Sequence, residues 1–226
     1  MSHFSVAIIH RPNQDIEDLL APYDENLEVL KYTRQQAIDH VRETYDCEGK
    51  SDDECFEFLA EQYKLVDDNG NIYDTYNPNS KWDRWVVGGR ASGILKEIGK
   101  EEYCNECKLY DLDLSRDEDK YQEALHFWDV YVDKVEEDPK VYSFRDPEYF
   151  KERYGDRETY ARRKSSFGTY AVITPDGKWN AAGDVGWQGI SSERHQEAAD
   201  WDDNYYSRFL ETDDKDLLIT IVDCHI

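Results

Sequence analysis

The segment Leu217–Ile226 (LLITIVDCHI) is almost continuously apolar. Such a run suits a strand covered on both faces and paired on both edges. Phe4–His10 (FSVAIIH), ended by Arg11-Pro12, is a second β-branched run. The two are predicted to be neighbours in one sheet, and antiparallel pairing would bring His3 near His225.

Between them the spacing predicts helices over Thr33–Tyr45, Ser51–Tyr63, Ser115–Lys134, Pro147–Lys164 and Ser191–Glu211. Ser51 and Glu54, and likewise Ser115 and Glu118, have the spacing of a capping box. Tyr121, Leu125, Trp128 and Val132 form one apolar helical stripe. Two hairpins are legible, Tyr63–Val66 with Ile72–Tyr76 around Asp67-Asp68-Asn69-Gly70, and Thr169–Thr174 with Lys178–Asn180 around Pro175-Asp176-Gly177. The expectation is a single α+β domain over residues 1–226. Its mixed or antiparallel sheet contains both terminal strands, with several helices inserted.

Charge narrows the function. The chain has 51 Asp+Glu against 27 Lys+Arg, a formal net charge of −24. A nonspecific nucleic-acid binder needs the opposite sign to release phosphate counterions, so direct nucleic-acid binding is not expected. With 14% aromatics the chain is too rich in rings for wholesale disorder. It has no apolar run of membrane-spanning length, and Met1-Ser2-His3-Phe4 lacks the basic start of a signal peptide. Five cysteines do not read as a secreted disulfide framework. These features point to a soluble, cytoplasmic protein with no membrane partner.

The acid is uneven. Residues 81–100 hold Lys81, Arg84, Arg90, Lys96 and Lys100 against Asp83 and Glu97. Residues 151–164 hold Lys151, Arg153, Arg157, Arg162, Arg163 and Lys164 against three acids. The second island has a plain reading: pairing with surplus carboxylates, and cations at a helix C-terminus. The first interleaves its charge with Trp82, Trp85 and a glycine pair.

In that block, Asn77, Asn79, Lys81, Trp82, Arg84, Trp85, Gly88, Gly89 and Arg90 combine the parts of a site for an anionic, aromatic ligand. Arginine forks hold phosphate or carboxylate, indole faces stack on rings, and a Gly-Gly pair can form a backbone nest for an anion. The alternative is scaffolding, with core tryptophans, an Asp83 ion pair and a glycine bulge. Neither GxGxxG nor a P-loop is present.

The chain resembles a family of uncharacterised tailed-phage and prophage proteins. The resemblance rests on Met1-Ser2-His3-Phe4, on Thr75–Asp83 with Gly88-Gly89-Arg90 and Ser92-Gly93, on Gly186-Trp187, and on Val222–Ile226. The family pattern has Trp where this chain has Ala91. The resemblance implies a phage gene product acting in the cytoplasm of a bacterial host.

Asp223 and His225 share one face of the last strand. With His3 they could bind a metal or move protons, or they could simply close the end of the sheet. Cys224 points the other way, so a Cys–His dyad is geometrically poor. Cys104-Asn105-Glu106-Cys107 is a lone CxxC without two further ligands at zinc-like spacing, so neither metal nor cofactor is expected. Acidic runs such as Glu136-Glu137-Asp138 read as solvated faces or as nucleic-acid mimicry.

The leading expectation is a non-enzymatic counter-defence protein. It would bind a nucleotide-type ligand through the Asn77–Arg90 block, helped by Trp187 and by Arg162 or Arg163. Alternatives are an acidic inhibitor of a host defence protein and a hydrolase using His225, Asp223 and His3. Oligomeric state is open, self-association included.

Overall fold

The computed structural model describes residues 2–45, 47–183 and 195–226. In chain order the elements are β1 (His3–His10), α1 (Ile16–Leu20), β2 (Val29–Tyr32), α2 (Arg34–Thr44), α3 (Asp52–Tyr63), β3 (Ile72–Asp74), β4 (Arg84–Val87), β5 (Leu95–Lys96), β6 (Tyr103–Cys104), β7 (Glu106–Lys108), α4 (Glu118–Phe127), α5 (Pro147–Tyr154), α6 (Arg157–Ser165), β8 (Ala171–Ile173), β9 (Trp179–Ala181), α7 (His195–Tyr205) and β10 (Leu218–His225). They fall into two compact units, Leu20–Asp83 and the remainder. Among the described residues no helix is long and apolar enough to cross a membrane.

In the larger unit the sheet order is β4-β10-β1-β8-β9, with β7 also on β10. β1 and β10 pair antiparallel from His3↔His225 to His10↔Leu218. β10 meets β4 and β7 along its other edge, so the apolar run is central, as its composition requires. β8 lies parallel to β1, and β8 and β9 form the expected hairpin. Its turn closes through Gly177 at φ +78°. On one side of the sheet Ala7, Ile9, Ile219, Ile221 and Val172 share a core with Trp201, Tyr205 and Phe209. A second core joins Leu125, Trp128 and Val132 to Phe150, Tyr160 and Ala161, which confirms the helical stripe.

Several boundaries differ from the sequence expectation. α4 opens at Glu118 because Asp117, not Ser115, accepts the Lys120 N–H at 3.1 Å. Ser115 instead donates its N–H to Asp113. α4 ends in a π-turn over Trp128–Val132. The helix expected over Pro147–Lys164 is two helices. Gly155 adopts φ +78°, and Asp156 caps α6 by accepting the Thr159 N–H. α7 likewise passes into a π-turn, Tyr206–Leu210, and the first residues of its expected span lie outside the described residues.

In the unit Leu20–Asp83, α2 and α3 each start with a complete capping box, Thr33 with Gln36 and Ser51 with Glu54. Their apolar faces bury Ile38, Val41, Cys55 and Leu59 with Ile72 of β3. The Asp67–Gly70 turn forms, with Gly70 at φ +76°. Its incoming arm, however, contributes only a Val66↔Ile72 bridge. α3 consumes Tyr63, and Lys64 stops the helix in the left-handed region. Too little chain is left for a strand, and β3 takes β2 as its ladder partner.

Candidate functional site

The Asn77–Arg90 block is divided after Asp83 between the two compact units. On the first side Asn77 is buried, with its amide donating to the carbonyls of Pro22 (2.9 Å) and Asp24 (2.8 Å) and its oxygen accepting the Asn79 N–H (2.9 Å). The Lys81 N–H donates to the Tyr23 carbonyl at 2.8 Å. Trp82 is buried and its carbonyl accepts the Glu25 N–H. These residues fasten a loop to the Pro22–Glu25 segment. On the second side Arg84 and Trp85 lie on β4, in register with His225 and Cys224. Trp187 lies outside the described residues.

The glycine pair shapes a turn whose following residue, Arg90, gives its backbone N–H to a carboxylate of this protein, Asp223. Gly88 and Gly89 have φ of +73° and +53°. The Gly88 N–H donates to the Ile221 carbonyl, and the Arg90 N–H donates to Asp223 Oδ2 at 2.8 Å. A Cβ on Gly89 would stand 2.6 Å from the Asp223 Cβ, and one on Gly88 would stand 2.5 Å from Asn105 Nδ2. Asn105 Oδ1 accepts from the Ser92 hydroxyl and the Gly93 N–H. Glycine is required at 88 and 89 because the loop lies directly on Asp223 and Asn105.

Asp223 also meets His3, with Nδ1 at 3.0 Å from Oδ1. The His3 and His225 rings stand edge to face, 5.0 Å between centroids. Sequence reasoning therefore brought together the right three side chains. Burial pushes the Asp223 carboxyl up, but the Arg90 N–H and His3 outweigh it and hold the group below its ordinary value. A histidine with Nδ1 on a carboxylate keeps Nε2 for proton transfer. Cys224 lies buried on the opposite face, and burial raises its thiol well above the usual range. Among the described residues no three His, Cys, Asp or Glu side chains, these included, are arranged so that they could hold a metal ion. All five cysteines are free thiols. Burial, with Cys104 beside it, pushes the Cys107 thiol up to about 12.

The second cationic island is largely paired. Arg162 and Arg163 converge on Asp203 at 2.9 and 2.7 Å, and Arg157 grips Asp129 with two contacts of 2.6 Å. Lys151 reaches Glu148. Lys164 closes no ion pair among the described residues, and its ammonium lies 5.9 Å from the Tyr160 ring.

Lys164 stands where two clefts meet. One, of about 370 Å³, is lined by Arg153, Arg163 and Lys164 together with Phe167, Tyr170 and Trp201. The other, of about 450 Å³, is lined by Lys96, Arg116, Lys120 and Lys164, with Asp113 and Asp117. Both share Lys164, Ser166, Phe167 and Gly168. The N–H groups of Phe167 and Gly168 have no hydrogen-bond acceptor among the described residues. Lys164 was visible in the sequence as the end of a basic run. Arg116 and Lys120 carried no signal, since they sit in a strongly acidic stretch.

Comparison with family models, with curated proteins and with solved structures gives no match to the chain.

Proposed function

We propose that this protein binds a small anionic ligand carrying an aromatic ring, of nucleotide type, in the clefts that meet along Lys164–Gly168. The observation that carries this reading is that Lys96 and Lys164, which close no ion pair among the described residues, stand with the paired Arg116, Lys120 and Arg163 around adjoining cavities in a chain of net charge −24. Such a local field draws an anion past an otherwise repulsive surface. The half-buried rings of Phe167 and Tyr170 supply stacking area. The resemblance to tailed-phage proteins supports a role in host cytoplasm as a counter-defence protein that withdraws a nucleotide signal.

The test is mass spectrometry of small molecules released on denaturing the purified protein, beside direct titration with nucleotides. Lys164→Glu should abolish binding without lowering the melting temperature. Unchanged binding by that variant would sink the reading.

A second reading, an acidic inhibitor of a host protein, is favoured by the segment after α4. Phe144 is 99% exposed and Tyr142 71% exposed, near Glu136, Glu137 and Asp138. The Tyr131 hydroxyl reaches the carbonyls of Ser143 and Arg145 at 3.0 and 2.7 Å, which fixes the backbone on either side of Phe144. Hydrolysis by His3, Asp223 and His225 has weaker support, because Asp223 is already engaged by the Arg90 N–H and by His3.

A further inference from the structure

The two clefts differ in what they can still offer a ligand. In the aromatic cleft, the Arg163 side chain is only 9% exposed and is held by Asp203. Its charge is largely offset before any ligand arrives. Phe167, Tyr170 and Trp201 supply rings to the remaining wall, beside Asp202. In the neighbouring cleft, Lys96 closes no ion pair among the described residues, and neither does Lys164 on the shared ridge. The hydroxyls of Ser165 and Ser166 are spent on the carbonyls of Ala161 and Arg162. The donors left there are ammonium groups and the ridge N–H groups of Phe167 and Gly168, which is phosphate chemistry.

Resting on the nucleotide reading above, we propose that the ligand is a nucleoside polyphosphate lying across the Lys164–Gly168 ridge, with its ring against Phe167 and Tyr170 and its distal phosphates at Lys96. Lys164 then meets the phosphate nearest the sugar. Lys96, which lines the second cleft but not the aromatic one, acts as a gauge of phosphate number.

The experiment is calorimetric titration of the intact protein with the four ribonucleosides, their mono-, di- and triphosphates, and inorganic tripolyphosphate. Affinity should rise from mono- to triphosphate by roughly ten- to hundred-fold, the worth of one charge-assisted contact. Lys96→Gln should weaken triphosphate binding much more than monophosphate binding and so flatten that rise. Lys96→Arg should retain it, which separates loss of charge from damage to the fold. Phe167→Ala should weaken every nucleotide by a similar factor, and tripolyphosphate should bind at least about tenfold more weakly than a triphosphate. A flat phosphate series in the wild type overturns the proposal, as does a Lys96→Gln effect equal on mono- and triphosphate or a tripolyphosphate as tight as the nucleotide. Binding by no nucleotide at all overturns the underlying reading instead.

Discussion

Asp223 and Arg90 stand 133 residues apart in the chain, yet the carboxylate of one accepts the backbone N–H of the other at 2.8 Å. The Gly-Gly-Arg turn is thereby neutralised from within. The same carboxylate orients His3, so the end of the sheet and the turn are one hydrogen-bonded assembly.

Gly89→Ala should expose the cost of that contact. The new methyl combines a φ of +53° with a 2.6 Å approach to Asp223, and strain of this kind costs about 1–3 kcal/mol. Gly99→Ala is the comparison, with φ +77° and nothing within 4 Å. Urea unfolding should show the greater loss at position 89. Equal losses would mean that the loop does not lie on Asp223.

Asp223 should also make the protein acid-sensitive. A carboxyl held below its ordinary value of 3.8 contributes its full stabilisation above that value. The contribution is lost as pH falls through the lower folded value. Asp223→Asn should lower stability near neutrality by about 1–3 kcal/mol, leaving the Arg90 N–H or His3 poorly matched. The variant should lose less than the wild type on acidification, as measured by urea midpoints between pH 6 and 3.

His126 should titrate above an ordinary histidine. Asp138 and then Glu136 favour its charged form and raise it from 6.5. What they contribute is present below the unfolded value and is lost as pH rises through the folded one. An NMR titration should find the midpoint above 6.5, and Asp138→Asn should bring it down.

Helix capping offers a separate check. Ser51→Ala should cost about 0.5–2 kcal/mol, since Ser51 completes a capping box. Ser115→Ala should cost little, and Asp117→Ala more than Ser115→Ala, because Asp117 is the residue that caps α4. The reverse order in thermal melts would restore the Ser115 cap.

The legible parts of this chain were those in which one short segment decides the outcome. The apolar run at 217–226 could only be a central strand, and the register it implied put His3 opposite His225. The helical stripe from Tyr121 to Val132 and the Gly177 hairpin were equally local. The α4 start was ambiguous because Ser115 and Asp117 are both good caps two residues apart. The turn at Gly88-Gly89 was read as a nest for an external anion, whereas the Arg90 N–H is taken by Asp223, on a strand more than a hundred residues away, which no local pattern encodes. The clefts were illegible for the same reason. Lys96, Lys120 and Lys164 meet only through tertiary packing.

The position of β10 sets the order in which this sheet can be assembled. β1 leaves the ribosome about 220 residues ahead of its partner at Asp223, an interval of roughly ten to forty seconds at about 5–20 residues per second. Before β10 is made, the only native strand partner available to Val6–Ile8 is β8, its parallel neighbour. β4 and β7 have no sheet to join until β10 arrives between them and β1. The central strand is thus the last of the sheet's strands to become available. Until β10 is made, the β1 edge that it covers has no native partner in the nascent chain.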